Sequence, residues 1–562
     1  MRERRFSWLL LLSAVLAALW LGLSWGIEVE ALKGRTLGHH LFKIQDMPAL
    51  LLGAGALLIA AFIVRLAPAA SVRWASDGRL VAVLLVAFVS LAWLGHYWLF
   101  GGYSLSRDEE VAEFAARSLS LGWLGRPIPA EWIEYRRAII PEFFSPFGAD
   151  QYWMAAYLPL NAGFRALSSF IGDTNLAGPI FLFIGLIALW RIALRLFPDR
   201  PDAVAVVMLM ALTSSQLLVT AMTPYAMTGH FALNMLWLAL VLRDDRFGHI
   251  AAGGVALLLT GLHQYHYPLP FLAPFLLWFA LRRRWGVLAF HGAVLALAIV
   301  IWAKLWPSLL IDLYGPAADV RPSAGVADKM GSLLDRLSKW HPLLHLSRFM
   351  AWNNLLLVPL AIIGLWRIKW REALHGEAIA LPLGLGALGM AALAIDQGYG
   401  WGYRYLHGFI GSFALLAGYG WASMRPRRPM RVIWMSVLAA VLTGSFLMAR
   451  AHDYVMPYAQ SHKRIMASGA DVVLVDTRGG RYVTDVVRGA HGEPLGRPVV
   501  MNIAMLDIAR IDRLCDRYDV AIFDKSAFLP LGVGAVKSAR ASTEAKRAHM
   551  AARGCGRLIV PF

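Results

Sequence analysis

The run LVAVLLVAFVSLAWLGHYWLF at residues 80–100 contains no Asp, Glu, Lys or Arg, and Ser106-Arg107-Asp108-Glu109-Glu110 follows it within six residues. A helix of about 20 apolar residues crosses a hydrocarbon core about 30 Å thick, and a helix satisfies its own backbone there. The run therefore reads as a membrane span that delivers an acidic segment to one membrane face. Working outward, comparable runs occupy 6–27, 48–67, 176–197, 203–221, 226–242, 249–264, 267–281, 286–305, 351–366, 378–395, 405–422 and 432–449, about thirteen spans in all. The chain has 562 residues, 58% of them hydrophobic, whereas soluble domains average roughly 45–50% apolar. No small-residue cleavage site follows the first run, which reads as a retained signal-anchor helix.

The formal net charge is +18, a balance that nucleic-acid binders also show. Here its placement favours a membrane explanation. Arg2, Arg4 and Arg5, Arg65, Arg73 and Arg79, Arg191, Arg195 and Arg200, Arg243 and Arg246, Arg282, Arg283 and Arg284, Arg367, Lys369 and Arg371, and Arg425, Arg427, Arg428 and Arg431 fall in every second loop. By the positive-inside rule these loops and the N-terminus are cytoplasmic. An odd number of spans then puts the C-terminus in the periplasm of a bacterial inner membrane. The stretch 249–281 holds two short apolar runs flanking His263-Gln264-Tyr265-His266-Tyr267-Pro268. A single span there would turn the clusters at Arg283, Lys369 and Arg428 outward, so a hairpin or re-entrant pair is expected.

This topology divides the chain into a transmembrane portion, 1–450, and an extramembrane domain, 451–562. Two large loops, 101–175 and 306–350, face outward; the second carries Asp312, Asp319, Asp328 and Asp335. Beyond Arg450, Val472-Val473-Leu474-Val475 and Val520-Ala521-Ile522-Phe523 read as strands separated by helix-compatible stretches, the pattern of a small α/β domain. Cys515 and Cys555 are the only cysteines. In an oxidising compartment they either pair or persist as two buried thiols. No CxxC or Cys/His spacing suggests structural zinc.

Three constellations can carry chemistry. Val111, Phe114, Ala115, Leu119 and Trp123 recur at helical spacing after the acids, as in an amphipathic helix lying on the membrane surface. Asp108 and Glu109 then either cap that helix or, in a partly desolvated cleft, supply a general base. Between two late spans, Arg404 stands between Tyr403 and Tyr405, either as part of an interfacial aromatic belt or as a planar donor fork for phosphate. His263 and His266, with Tyr267, His230 and Lys304, either line a polar mouth or place two histidines on one helix face for a metal. The chain has no Walker A, kinase, GxSxG or HExxH signature, so an activated substrate must supply the energy of any reaction.

Over residues 80–450 the arrangement resembles the GT-C superfamily of membrane glycosyltransferases, the group that includes protein O-mannosyltransferases and aminoarabinose lipid A transferases. The resemblance rests on Asp108-Glu109 at the start of a large outward loop, Tyr157-Leu158-Pro159-Leu160 after it, the short-span hairpin containing Gly261, and Tyr403-Arg404-Tyr405 before a span. It implies a multi-span α-helical GT-C-like fold and a sugar donor carried on a polyprenyl phosphate. The acceptor would be a lipid, glycan or protein. Asp108 would be the general base, with Glu109 assisting directly or through a divalent ion such as Mg or Mn. Arg404, with Tyr403, Tyr405, His263, His266 and Lys304, would bind the donor phosphate. The chain departs from the family pattern in having two spans before the one that leads into the acidic loop, and histidines where the hairpin usually carries a lysine. A transporter or flippase of lipid-linked glycans, or a non-catalytic envelope scaffold, are the alternatives; transporters usually show internal repeats and mid-membrane charges, and neither is evident here.

Overall fold

A computed structural model describes residues 4–31, 37–64, 72–140, 147–148, 151–316, 331, 334, 341–367, 379–393, 395, 397–424, 430–536 and 541–559. Asp319, Asp328, Asp335 and Asp396, and much of the basic cluster at 425–429, lie outside them. Six described helices are long and apolar enough to cross a membrane: Ser7–Trp25, Phe42–Ile63, Gly78–Phe100, Thr174–Leu196, Trp285–Tyr314 and Met430–Met466. Pro201–Leu212 and Ser215–Ala221 form a bent pair that passes the same test together. Shorter apolar helices, among them Met227–Val241, Arg246–Thr260 and Leu269–Leu281, fill most of the other expected segments. The protein is thus a polytopic α-helical membrane protein, and the stretch 249–281 is two short helices around the His263 turn, as the charge alternation required.

The chain separates into two compact units. The first comprises Met1–Gly95, Ala177–Lys304 and Pro322–Arg450. Its helices approach closely through small residues: Gly364, on Leu357–Trp366, lies against the backbone of Leu416 and Gly420 on Ile410–Ser423, where a Cβ would collide. Between helices surrounded by lipid, such close packing supplies the attraction that hydrophobicity cannot.

The second unit comprises His96–Leu176, Leu305–Arg321 and Ala451–Phe562. It contains a two-stranded antiparallel ribbon, β1 (Arg126–Pro127) and β2 (Tyr152–Trp153), and four parallel strands, β3 (Val472–Val475), β4 (Val499–Asn502), β5 (Val520–Phe523) and β6 (Arg557–Leu558), in the order β4-β3-β5-β6. Strands β3, β4 and β5 are buried along their whole length, which explains why they read as continuous apolar runs and not as alternating ones. Cys515 and Cys555 are joined in a disulfide with their Cα atoms 5.8 Å apart.

The loop that follows the helix Gly78–Phe100 and the C-terminal segment share one core. Phe114, Ile128, Trp132, Ile139 and Trp153 from the loop pack with Val472, Leu474, Met501, Ile511 and Ile522 from the tail. The sequence reading assigned the loop to the transmembrane portion and the tail to its own domain; burial instead groups the two. The same packing accounts for the amphipathic stretch after Asp108. Val111 and Phe114 are fully buried within the unit, so these residues of the apolar face meet protein, while Trp123 stays exposed.

Candidate active site

The acidic segment is built by two local signals. Gly101 and Gly102 adopt left-handed φ of 64° and 70°, and the Gly102 N–H donates to the His96 carbonyl at 3.1 Å, closing the helix Gly78–Phe100 as glycine C-caps do. Ser106 then starts the helix Arg107–Ser120. Its hydroxyl accepts from the Glu109 N–H at 3.3 Å, and its own N–H donates to the Glu109 carboxylate at 2.6 Å. This reciprocal pair is a capping box.

The three acids consequently differ. Glu109 is buried and engaged in the cap, and burial pushes its carboxyl up to about 7 against the pull of the Ser106 N–H and the Arg488 charge. Glu110 is buried in an ion pair with Arg107. Asp108 alone of the three is partly exposed. It occupies the second helical position, where the helix dipole favours negative charge, and it accepts a hydrogen bond from the Tyr157 hydroxyl. The acid and the tyrosine of the Tyr157-Leu158-Pro159-Leu160 segment, 49 residues apart, thus meet in one place.

The support beneath this segment went unseen in the sequence. Tyr103 donates to the Asp485 carbonyl at 2.8 Å. Arg107 donates to the carbonyls of Thr484 and Val487, the latter at 2.8 Å. Arg488 donates to the carbonyls of Ser104, Leu105 and Ser106, the last two at 2.9 and 3.4 Å. Gly492, at φ 70°, lets its loop lie on the helix: a Cβ there would sit 2.7 Å from the Phe114 nitrogen. Nothing in the local sequence marks Tyr103, Arg107 or Arg488 for this role, because each acts on a backbone carbonyl more than 370 positions away. On this side of the helix a cavity of about 550 Å³ is lined by Tyr103, Ser104, Glu113, His462, Lys463 and Arg488, among others.

In the first unit the Arg404 turn and the His263 hairpin come together. The Tyr267 hydroxyl reaches the carbonyls of Arg404 and Tyr405, each at 3.2 Å. The Tyr267 ring lies 6.3 Å from that of His263, 5.9 Å from that of Tyr405 and 4.3 Å from that of His230. The Arg404 guanidinium rests over the rings of Tyr225 and Tyr405 at 5.6 and 5.5 Å, an aromatic setting that suits a cation. Tyr403 is buried and stacks on His345 at 4.5 Å. Three side chains hold the turn: Gln397 accepts the Arg404 N–H at 2.7 Å, Gln216 donates to the Tyr403 carbonyl at 2.8 Å, and Arg348 donates to the Gly400 carbonyl at 3.0 Å. Arg348 is itself paired at 2.8 Å with the fully buried Asp46, which also accepts from Trp352 at 2.6 Å. His266 is exposed next to Tyr265. Lys304 is exposed on the π-helical turn Ile301–Leu305, and among the described residues no hydrogen bond, ion pair or ring contact joins it to Arg404.

One Glu109 carboxylate oxygen is engaged in the cap, and among the described residues no group of three or more His, Cys, Asp or Glu is disposed to hold a metal.

No protein-family model matches the sequence, and neither does any curated protein. Among solved structures the chain is similar to ArnT from Cupriavidus metallidurans. With the structure bound to undecaprenyl phosphate the TM-score is 0.50 at 13% identity, covering 78% of this chain and 91% of that one. With the apo structure the TM-score is 0.48 at 12% identity over the same shares. At such identity the likeness is one of fold, the polytopic α-helical architecture expected from the sequence.

Proposed function

We propose that the protein is a membrane glycosyltransferase that moves a sugar from a polyprenyl-phosphate-linked donor to an acceptor on the periplasmic side of a bacterial inner membrane. The observation that carries this reading is the partly exposed Asp108 carboxylate, set directly after a span by a capped helix and held by Tyr157. The undecaprenyl phosphate bound in the ArnT structure supports a polyprenyl phosphate as the donor's carrier.

In the reaction the acceptor oxygen attacks the anomeric carbon, the bond from that carbon to the phosphate oxygen breaks, and the polyprenyl phosphate departs with the bonding electrons. Asp108 takes the acceptor's proton, and Tyr157 fixes which carboxylate oxygen is offered. Glu109 serves by capping the helix that carries Asp108. Arg404, a planar donor fork, stabilises the charge that develops on the leaving phosphate, with His263 as a further donor. The rings of Tyr225 and Tyr405 under its guanidinium hold Arg404 in place.

The test is genetic and chemical. A deletion strain is expected to accumulate polyprenyl-linked sugar, measured by mass spectrometry of lipid extracts, and the wild-type gene to clear it. Asp108→Asn should insert into the membrane normally and transfer about 100-fold less, the scale of a lost general base. Normal transfer by Asp108→Asn would sink the assignment.

A further inference from the structure

Arg488 lies where two chain segments exchange arginines. From the loop, Arg107 reaches the carbonyls of Thr484 and Val487. From the tail, Arg488 reaches those of Ser104, Leu105 and Ser106, the three residues that lead into the acidic helix. Its Nε donates to the Asp485 carbonyl at 2.8 Å, and its guanidinium lies 4.8 Å over the Tyr103 ring. Both arginines are buried at 4% exposure. A guanidinium has five N–H donors in a rigid fork, so it can fix several carbonyls at once where an ammonium fixes fewer and less directionally. A buried charge is costly unless its partners and their geometry are kept. The arrangement is therefore stiff, and the part it stiffens is the turn that aims Asp108.

We propose that Arg488 is a positioning residue for transfer: by holding residues 104–106 it sets the Asp108 carboxylate, which makes the C-terminal segment part of the active machinery. This rests on the reading of Asp108 given above. A misplacement of about 1 Å in a reacting group can cost on the order of 100-fold in rate, so loosening this turn should lower transfer without weakening donor binding.

The experiment compares Arg488→Gln, Arg488→Lys, Asp108→Asn and, as a control, Arg557→Ala, whose exposed ion pair with Asp519 lies at the sheet edge. Each is assayed by clearance of polyprenyl-linked sugar in the deletion strain. Each is also purified and titrated with undecaprenyl phosphate, and its melting temperature recorded. Arg488→Gln is expected to bind undecaprenyl phosphate within twofold of wild type while transfer falls at least tenfold, Arg488→Lys to recover part of the loss, and Arg557→Ala to behave as wild type. Should Arg488→Gln fail to fold, Arg488→Lys decides: reduced transfer with intact binding supports the role, and wild-type transfer overturns it. Loss of binding in parallel with loss of transfer also overturns it. Normal transfer by Asp108→Asn would remove the functional reading itself, and this inference with it. An inactive Asp108→Asn beside fully active Arg488 variants would remove only the role of Arg488.

Discussion

Asp108 and Glu109 are adjacent in sequence, but one step of helical rotation gives them different environments. Glu109 turns inward, and there its ionised form loses water without gaining a direct ionic partner. Burial raises its carboxyl from an ordinary 4.5 to about 7, opposed by the Ser106 N–H and by Arg488, and reinforced by Glu113. Arg165, buried on the helix Leu160–Ser169, also faces these acids. Between pH 4.5 and 7 the folded protein thus keeps a proton that the unfolded chain has released. Stability from this group is full below 4.5, falls as pH rises towards 7, and is flat above it. Glu109→Gln keeps a capping side chain at the same position and removes the charge. In detergent, the variant is expected to match the wild-type melting temperature near pH 4.5 and to exceed it at pH 8. An undiminished wild-type slope in Glu109→Gln would assign the pH dependence to another group.

Among the elements, the turn that presents Arg404 shows what a sequence reading can and cannot reach. Glycines and aromatics before a span were legible, as was the arginine among them, because residue type alone suggests a bend and a donor. The parts that make the turn rigid were not. Gln216, Arg348 and Asp46 come from distant helices, and each works through a carbonyl or a buried pair that leaves no periodicity. Gly402 shows how tightly they fit: its φ is 75°, and a Cβ would lie 2.7 Å from the Gln216 Oε1 and 3.0 Å from the Trp352 Cβ. A left-handed alanine costs about 1–2 kcal/mol and local overpacking about 1–3 kcal/mol. Gly402→Ala should therefore destabilise the protein by about 2–5 kcal/mol and weaken undecaprenyl phosphate binding. Gly398→Ala, where the added methyl meets open space, should change neither. Equal melting temperatures for the two variants would mean that the turn adapts.

For the molecule as a whole, hydrophobic runs and basic loops made the polytopic fold and the mid-chain hairpin legible, since both follow from transfer energetics that act residue by residue. The grouping of the loop after Phe100 with the tail was hidden because it depends on which apolar faces meet, not on how apolar each is. Topology and tail chemistry now bear on each other. By the positive-inside pattern the tail is expected outside the cytoplasm, and the tail contains the Cys515–Cys555 bond closing 40 residues. Such bonds persist in the periplasm and are reduced in the cytosol. A cross-link of this span stabilises by about 4 kcal/mol on the chain-entropy account. Cells expressing the protein, denatured and treated with a maleimide–polyethylene glycol reagent, should show no mass shift without reductant and a shift of two adducts after reduction. Cys515→Ser should instead label once without reductant and lower the melting temperature of the purified protein. Two adducts on untreated wild type would mean free thiols, and with them a tail exposed to the reducing side of the membrane, reversing the orientation on which the proposed periplasmic transfer depends.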